Sequence, residues 1–495
     1  MILRILAFAA MSLISSLALA EKTNIVFIFA DDMSYKTAGF MGHDVVKTPN
    51  LDKLANDGVV FNRAYNMGAW TGAVCISSRT MLNSGFSVWR AHEVNNLFKT
   101  KKSKKNSEVI PALQQKKQTI MDNFWATRME AAGYDTYISG KWHVSAPAKA
   151  SFDEVGTIRP GMPKQTKQRY ERTFDEINDS WSPFDKSMGG FWAGGQHWTE
   201  ALADEAISFL NTKKQSYTPF FMYVSFNAPH DPRQAPKEFV DMYPLKDINL
   251  PASYQEQHPL MEHMGLLSPK AKKKKMLRDE NLGPLPRTEY STLVNRQEYY
   301  ASITHLDSQI GRILAQLEAN KQMQNTVIIF TADHGLAIGE HGLLGKQNLY
   351  EHSMRAPFFI AGKGMPKGQR RNAAIYLQDA MATSLDLAGA ALDNVEFKSV
   401  LPLVADKQAT SYSTIYGAYL NTQRAIIQDN YKLVLYPKAK SIELYDLVND
   451  PNEVNNLAKK ADMKIKIKSL FASLRQEQVL LGDKLKLEET YPELL

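Results

Sequence analysis

Residues Asn24 to Ser34 read NIVFIFADDMS, a continuous β-branched and aromatic run that ends abruptly in two acids. A strand with one wet face alternates apolar and polar residues, whereas this one does not. It is therefore predicted to be buried on both faces, as strands of a parallel sheet are. In open α/β sheets ligands bind beyond the C-terminal ends of the strands, which is where Asp31 and Asp32 fall.

The same unit recurs along the chain. YDTYIS runs into GKWHV with Lys141 and His143, PFFMYVSFNAPHDP delivers His230, and TVIIFTADHG delivers Asp333 and His334. Between these strands the spacing predicts helices: one opened by Thr48 and Pro49 and closed by Gly58, an amphipathic one over Thr119 to Ala132, and others at TEALADEAISFLNTK and EYYASITHLDSQIGRILAQLEANK. The alternation predicts a large mixed, mostly parallel, doubly wound α/β sheet flanked by helices, with one active edge. After about Val400 the pattern changes to STIYGAYLN, RAIIQDN, YKLVLYP and IELYDLVNDP, followed by a helix near Met463 to Glu477. That reads as a smaller C-terminal α+β subdomain, residues 401–495, containing an antiparallel sheet. Ala146 to His197 and Arg233 to Pro286 lack periodicity, as long functional or disordered loops do.

Residues 1–20 carry Arg4, an apolar run broken only by small serines, and a final Ala-Leu-Ala. They are expected to form a secretory signal peptide, with the protein exported to the periplasm or secreted. No later stretch approaches the roughly 20 consecutive apolar residues that a spanning helix needs, so no stable membrane insertion is expected. The formal charge is +7, and lysines cluster at Phe98 to Lys105, Ser268 to Arg278 and Lys459 to Lys468. Such runs are solvated faces or attract polyanions. Export disfavours nucleic acid, which leaves anionic glycans or lipid surfaces.

Cys75, in AVCISSRTMLNSG, is the chain's one cysteine. Without an internal disulfide partner it is either a small buried hydrophobe or a residue kept for its chemistry. Helical spacing up to Gly85 places it at or near a helix N-terminus, where the peptide dipole favours an anion. Asp31, Asp32, Asp333 and His334 at one edge gather three carboxylates whose repulsion requires protonation or a cation, and a divalent metal is the simpler answer.

CISSRTMLNSG resembles the signature of the formylglycine-dependent sulfatases of the alkaline phosphatase superfamily, of the bacterial polysaccharide or choline-sulfatase-like type. The blocks IVFIFADDMS, TPNLDKLANDGVVFNRAY, GYDTYISGKWHV, FNAPHDP, TADHG, GKQNLYEHSMRAP and YKLVLY with ELYDLVNDPNEVNNLA follow that family's order. The resemblance implies an alkaline phosphatase-like catalytic domain over residues 21–400. It also implies a sulfuric ester hydrolase acting on a sulfated carbohydrate, with oligosaccharides of a sulfated polysaccharide as substrate. Cys75 would be converted to 3-oxoalanine (formylglycine) by a transiently bound formylglycine-generating maturation enzyme. Asp31, Asp32, Asp333 and His334, with the modified Cys75, would hold one Ca2+. Arg79 would fix the formylglycine, Lys141 and Lys346 would hold the sulfate oxygens, His143 would serve as base and His230 would protonate the leaving oxygen.

This chemistry suits a sulfate ester, which develops negative charge on its bridging oxygen as the bond to sulfur breaks. One hydroxyl of the hydrated aldehyde attacks sulfur, and the other, on losing its proton to His143, expels sulfate. Ser77 stands where the family usually has Pro or Ala, Ser84 where Thr is usual, and His334 where Asn is frequent. Imidazole is an uncommon partner for a hard oxygen-seeking ion, so manganese, magnesium and zinc stay open beside calcium. Trp89, Arg90, His92, His197, Trp198 and Arg355 are candidate substrate-binding residues. Two other readings are a phosphodiesterase or phosphonate monoester hydrolase of the same superfamily, and a non-catalytic binder of sulfated glycans.

Overall fold

A computed structural model describes residues 22–99, 109–159, 167–170, 172–267 and 276–495. The expected signal segment lies outside the described residues, as do most of the first two lysine runs. The main sheet has strands β1 (Asn24–Ala30), β2 (Gly58–Phe61), β3 (Asp135–Lys141), β4 (Glu154–Arg159), β5 (Phe220–Ser225), β6 (Thr326–Ala332), β7 (Phe358–Gly362) and β8 (Gln369–Arg371). Their order across the sheet is β8-β2-β7-β6-β1-β5-β3-β4. β7 alone runs against its neighbours β6 and β2, and the remaining pairings are parallel. The fold is thus the mixed, mostly parallel α/β sheet that the sequence predicts.

Every residue of β1, β5 and β6 is buried, which explains why their sequences do not alternate. Helices Trp125–Ala131 and Trp198–Thr212 pack on β3, and Pro49–Asn56 packs on β2 and on the long helix Glu289–Ala319. That long helix starts earlier than its apolar periodicity suggests, because Thr288 caps it by accepting from Ser291 N at 3.1 Å. The single helix predicted over Thr119 to Ala132 is two, Val109–Asp122 and Trp125–Ala131. At the break, Asn123 Nδ2 donates to Ser84 O (2.8 Å) and Asn394 O (3.1 Å), tertiary bonds invisible to periodicity. β4 lies inside a segment read as irregular. It is a partly exposed edge strand and lacks the buried pattern of the centre.

Register brings the strand ends level. Ala30 pairs with Ala332, Phe29 with Ser225, and Gly140 with Ser225. At Gly140 (φ 98°) an added Cβ would lie 1.9 Å from Ser225 O, so only glycine lets β3 close on β5 immediately before Lys141. Asp31 N donates to Ala228 O (3.1 Å) and Asp333 N to Ala30 O (3.2 Å), which stitches the loops that leave the sheet.

The C-terminal part contains β9 (Ile415–Tyr419), β10 (Gln423–Gln428), β11 (Tyr431–Tyr436) and β12 (Ser441–Asp446), paired antiparallel in sequence order. A helix, Lys464–Leu481, follows them. The sheet gains a fifth strand from far upstream: Gly68 and Ala69 pair in parallel with Ala418 and Tyr419. Residues of both parts share one apolar core.

Candidate active site

The helix Val74–Ser84 starts without a side-chain cap at Ala73, so its first amides keep their positive partial charge for whatever faces them. Cys75 lies in its first turn, 2% exposed, and Arg79 lies one turn further on the same face. Arg79 is fully buried and gathers four strand ends. Its Nε donates to Asp333 Oδ2 (3.0 Å), its Nη1 to Lys141 O (2.7 Å) and Ser225 Oγ (2.6 Å), and its Nη2 stands 3.5 Å from Asp31 Oδ1. The guanidinium also sits 4.6 Å from the ring of Phe29 on β1.

One ligand atom each from Asp31, Asp32, Cys75, Asp333 and His334 lies within 4.8 Å of the others, and all five residues are buried. His334 Nε2 is 3.4 Å from Cys75 Sγ and 3.2 Å from Asp32 Oδ1. Asp32 adopts a left-handed conformation (φ 64°) and accepts Lys346 Nζ on both oxygens, at 2.8 and 2.6 Å. The same ammonium is 3.4 Å from Cys75 Sγ and 3.1 Å from His230 Nε2. Lys141 Nζ donates to Asp31 Oδ2. His143, also left-handed (φ 51°), stands beside the Cys75 thiol, and its Nδ1 has no partner among the described residues.

The electrostatics follow from this crowding. Burial opposes ionisation of Cys75, but Lys141, Lys346 and His334 outweigh it and hold the thiol well below its ordinary range. Burial and the neighbouring Asp333 carboxylate push Asp31 well above the usual carboxylate range. Asp333 is itself held below that range, because His334 and Arg79 overcome its burial. His334 is raised to about 9, against burial, by Asp333 and Asp32. His230 is raised to about 10, against burial, chiefly by Asp32. Burial lowers His143.

The donor set fits a divalent cation. Three carboxylates, an imidazole and the Cys75 position converge from separate elements, and the lysine ammonium groups lie on carboxylate oxygens that would otherwise repel. The oxygen majority suits calcium, magnesium or manganese, and the imidazole admits zinc.

His230 is steadied by a residue that sequence reasoning passed over. Asp231 Oδ1 lies 2.9 Å from His230 Nδ1, while Asp231 Oδ2 accepts from Tyr170 OH and stands 3.4 Å from Arg278 Nε. Arg278 Nη2 is 3.5 Å from His230 Nε2 and 3.0 Å from Asp279 Oδ1. Asp279 Oδ2 accepts from Gln347 Nε2 (2.8 Å) beside Lys346. Asp231 was legible as the immediate neighbour of His230. Tyr170, Arg278 and Asp279 sit in non-periodic segments that carry no signal.

The six candidate substrate residues separate. Trp89 and His92 line a cavity beside the Cys75 loop. Four others do not reach the site. Arg90 turns outward to pair with Glu396 (2.5 Å). His197 is fully buried because its Nδ1 caps the Trp198–Thr212 helix, accepting from Thr199 N at 3.1 Å, while its Nε2 donates to Gln234 O (3.0 Å). Trp198 packs into the core with its indole N–H on Asn227 Oδ1 (2.9 Å). Arg355 is drawn away by Glu351 (3.0 Å) and lies 3.7 Å from the ring of Tyr35.

Two family models match the chain: one described as Sulfatase over residues 23–390, and one described as N-sulphoglucosamine sulphohydrolase, C-terminal, over residues 339–479. An arylsulfatase of Clostridium perfringens is 28% identical over 507 residues, covering 95% of this chain and 98% of its own. A protein solved in complex with its substrate, D-glucosamine-2-N,6-O-disulfate, superposes with a TM-score of 0.69 at 22% identity, covering 94% of this chain and 99% of that one. The phosphonate monoester hydrolase of Agrobacterium radiobacter gives 0.67 at 21% identity, covering 92% and 96%. At such identities these two structures speak to the fold alone.

Proposed function

The chain belongs to the sulfatase family, and from that premise we propose that it removes sulfate from a sulfated carbohydrate with Cys75, converted to formylglycine, as nucleophile. The observation that carries this reading is the buried convergence of Asp31, Asp32, Asp333 and His334 on the Cys75 position, with Lys141 and Lys346 on the same edge.

A divalent cation held by Asp31, Asp32, Asp333 and His334 would supply Lewis-acid polarisation and offset the negative charge gathered at residue 75. Lys141 and Lys346 bind the sulfate oxygens through fixed positive charge in a site with little water. Arg79 ties the acid loops to the nucleophile helix and keeps residue 75 in line with them. His143, on the Cys75 sulfur, takes the proton of the second hydroxyl of the hydrated aldehyde. His230 gives a proton from Nε2 to the leaving oxygen, while its Nδ1 donates to the Asp231 carbonyl O (2.8 Å) with the Asp231 carboxylate 2.9 Å away, which keeps that nitrogen protonated and the ring fixed. The lysine runs and the N-terminal segment support a sulfated polysaccharide met outside the cytoplasm. Among the described residues, no helix is long and apolar enough to cross a membrane.

The experiment is release of free sulfate from an aryl sulfate and from sulfated oligosaccharides, run beside aryl phosphate diesters, with intact mass measured at residue 75 in protein from the native host. Sulfate release together with the mass change of thiol-to-aldehyde conversion supports the reading. Preferred turnover of phosphate diesters, or an unmodified thiol in active protein, overturns it.

A further inference from the structure

The end of the main sheet opposite Asp31 and Lys141 carries a concave surface of its own. Asn24 opens β1, Phe220 opens β5 and Asn325 directly precedes β6, and these strand beginnings line a cavity of about 520 Å³. A seven-residue strand spans roughly 20 Å, so the cavity lies about that far from the carboxylates that follow β1. None of the catalytic or metal-binding residues proposed above lines it.

The loops around it gather cations that are far apart in sequence. Lys22 leads into β1, Lys214 lies in the turn before β5, and Lys321 lies in the turn after the long helix. All three are exposed and line the cavity, and no acid does. The adjacent Lys213 is answered by Asp135 (2.7 Å), whereas among the described residues no carboxylate pairs with Lys214 or Lys321. Lys22 Nζ donates to a neutral group, Ala132 O, at 2.6 Å. Ammonium groups around one hollow repel one another, and an anion between them relieves that repulsion. None of these lysines belongs to the three lysine runs, so folding alone creates the patch.

The two lysine-bearing turns are fixed to each other before any ligand arrives. Gln322 Nε2 donates to Lys213 O (2.9 Å) and Asn320 Nδ2 to Leu210 O (3.0 Å), which lowers the cost of ordering them on binding. Tyr217, on the same wall as Lys214, is 97% exposed, more than any other large apolar side chain among the described residues. A ring held out in water among cations offers a flat face to a sugar whose sulfates reach the ammonium groups. It is the one exposed large apolar side chain of the lining, too little to enter a bilayer, which favours a glycan over a lipid surface.

We propose that this cavity is a non-catalytic anchoring site for a sulfated polysaccharide: Lys22, Lys214 and Lys321 bind its sulfates and Tyr217 packs on a sugar ring, while another stretch of the same chain lies at the active edge. The assignment rests on the sulfatase reading for its ligand and goes beyond it by making the enzyme favour polymer over fragments. A disaccharide touches one site at a time. A long chain reaches both, and its second contact then forms at high effective concentration.

The test compares wild type with the double variant Lys214→Glu, Lys321→Glu, with Tyr217→Ala, and with a charge control, Lys459→Glu, Lys460→Glu, whose exposed lysines lie in the C-terminal part. Calorimetry measures binding of carrageenan and heparan sulfate polymers, each protein carrying Cys75→Ser so that the polymer is not consumed. Turnover with residue 75 intact is followed on an aryl sulfate, on sulfated disaccharides and on the polymers. The expected result is that all variants keep the wild-type melting temperature and small-substrate turnover, while Lys214→Glu, Lys321→Glu and Tyr217→Ala lose roughly tenfold or more in polymer affinity and polymer kcat/KM and the charge control does not. Polymer affinity unchanged in the Lys214, Lys321 variant, an equal loss in the charge control, or no polymer bound by wild type would overturn the site. So would retention of wild type on phosphatidylglycerol vesicles with no polymer binding, which marks a lipid-docking face instead. Failure of wild type to release sulfate from any ester overturns the parent reading, and the calorimetric comparison still decides the anchoring site.

Discussion

Lys346 Nζ grips both carboxylate oxygens of Asp32, at 2.8 and 2.6 Å, although the two residues come from loops 314 positions apart. The pair is fully enclosed, so neither charge is relieved by water. Removing one partner of a buried pair is costly, typically about 3–5 kcal/mol, because the other is left uncompensated. Lys346→Met is therefore expected to lower the melting temperature of chelator-treated protein, and added divalent cation should recover more of the loss than it does in wild type. Turnover should fall by about 10²–10³, the cost of losing one charged donor at a developing anion. Differential scanning fluorimetry with and without chelator, alongside sulfate release, checks both halves.

Asp231 offers a sharper test of acid catalysis. With Asp231→Asn, His230 loses the carboxylate 2.9 Å from its Nδ1. Substrates with poor leaving groups, such as sugar sulfates, should slow by about 10²-fold, the lower end of what a general acid contributes. A nitrophenyl sulfate, whose leaving oxygen needs no proton, should slow far less. A plot of log kcat/KM against leaving-group pKa reads the difference as a steeper slope, and an unchanged slope with uniform loss would remove Asp231 from that role.

Cys75→Ser keeps a hydroxyl where the thiol was but offers no cysteine for conversion to the aldehyde. Its turnover should fall below detection while its melting temperature stays near that of wild type. Serine activity close to wild type, with intact mass showing an unoxidised side chain at residue 75, would mean that a simple hydroxyl suffices.

Acid sensitivity should come partly from a stack of neutral histidines. His341 lies 4.0 Å from Tyr350, centroid to centroid and nearly parallel, with His352 5.7 Å away, and His258 Nε2 meets Tyr350 OH at 2.8 Å. Burial lowers His341 to about 4 and His258 to about 3, whereas the unfolded chain titrates near 6.5. Between pH 6.5 and 4 the unfolded state therefore takes up protons that the folded state refuses. The stability these groups contribute is whole above pH 6.5 and shrinks as pH falls. For His341 the loss reaches up to roughly 3 kcal/mol by pH 4. Urea unfolding of His341→Phe and wild type at pH 7 and pH 4.5 should show the variant gaining on wild type at the lower pH. A constant difference would exclude the stack as a source.

Much of this was legible in sequence because fully buried strands cannot alternate. NIVFIFA and TVIIFTA announce themselves, and whatever polar residue follows such a run sits at the sheet edge. Arg79 entered only through the resemblance, and helical spacing explains why it stands one turn beneath Cys75. Residues that arrive by loops were not legible. Arg278 and Asp279 are placed by the packing of a segment without periodicity, and the strand β7, whose direction opposes its neighbours, shows nothing of that direction in FFIAG. His197 and Trp198 misled for a related reason: an imidazole that caps a helix and an indole that fills a core look, in a string of letters, like groups waiting for a sugar.

The short parallel strand of Gly68 and Ala69 has a temporal meaning. Its partners, Ala418 and Tyr419, leave the ribosome some 350 residues later, so the turn leading into the Cys75 helix cannot be locked until nearly the whole chain exists. Lys346, which closes over the sulfur, also arrives late, 271 positions downstream. Once both are in place, a thiol 2% exposed offers a macromolecule no approach. Any processing of that side chain by another protein belongs to the interval of synthesis, before the last strands seal it.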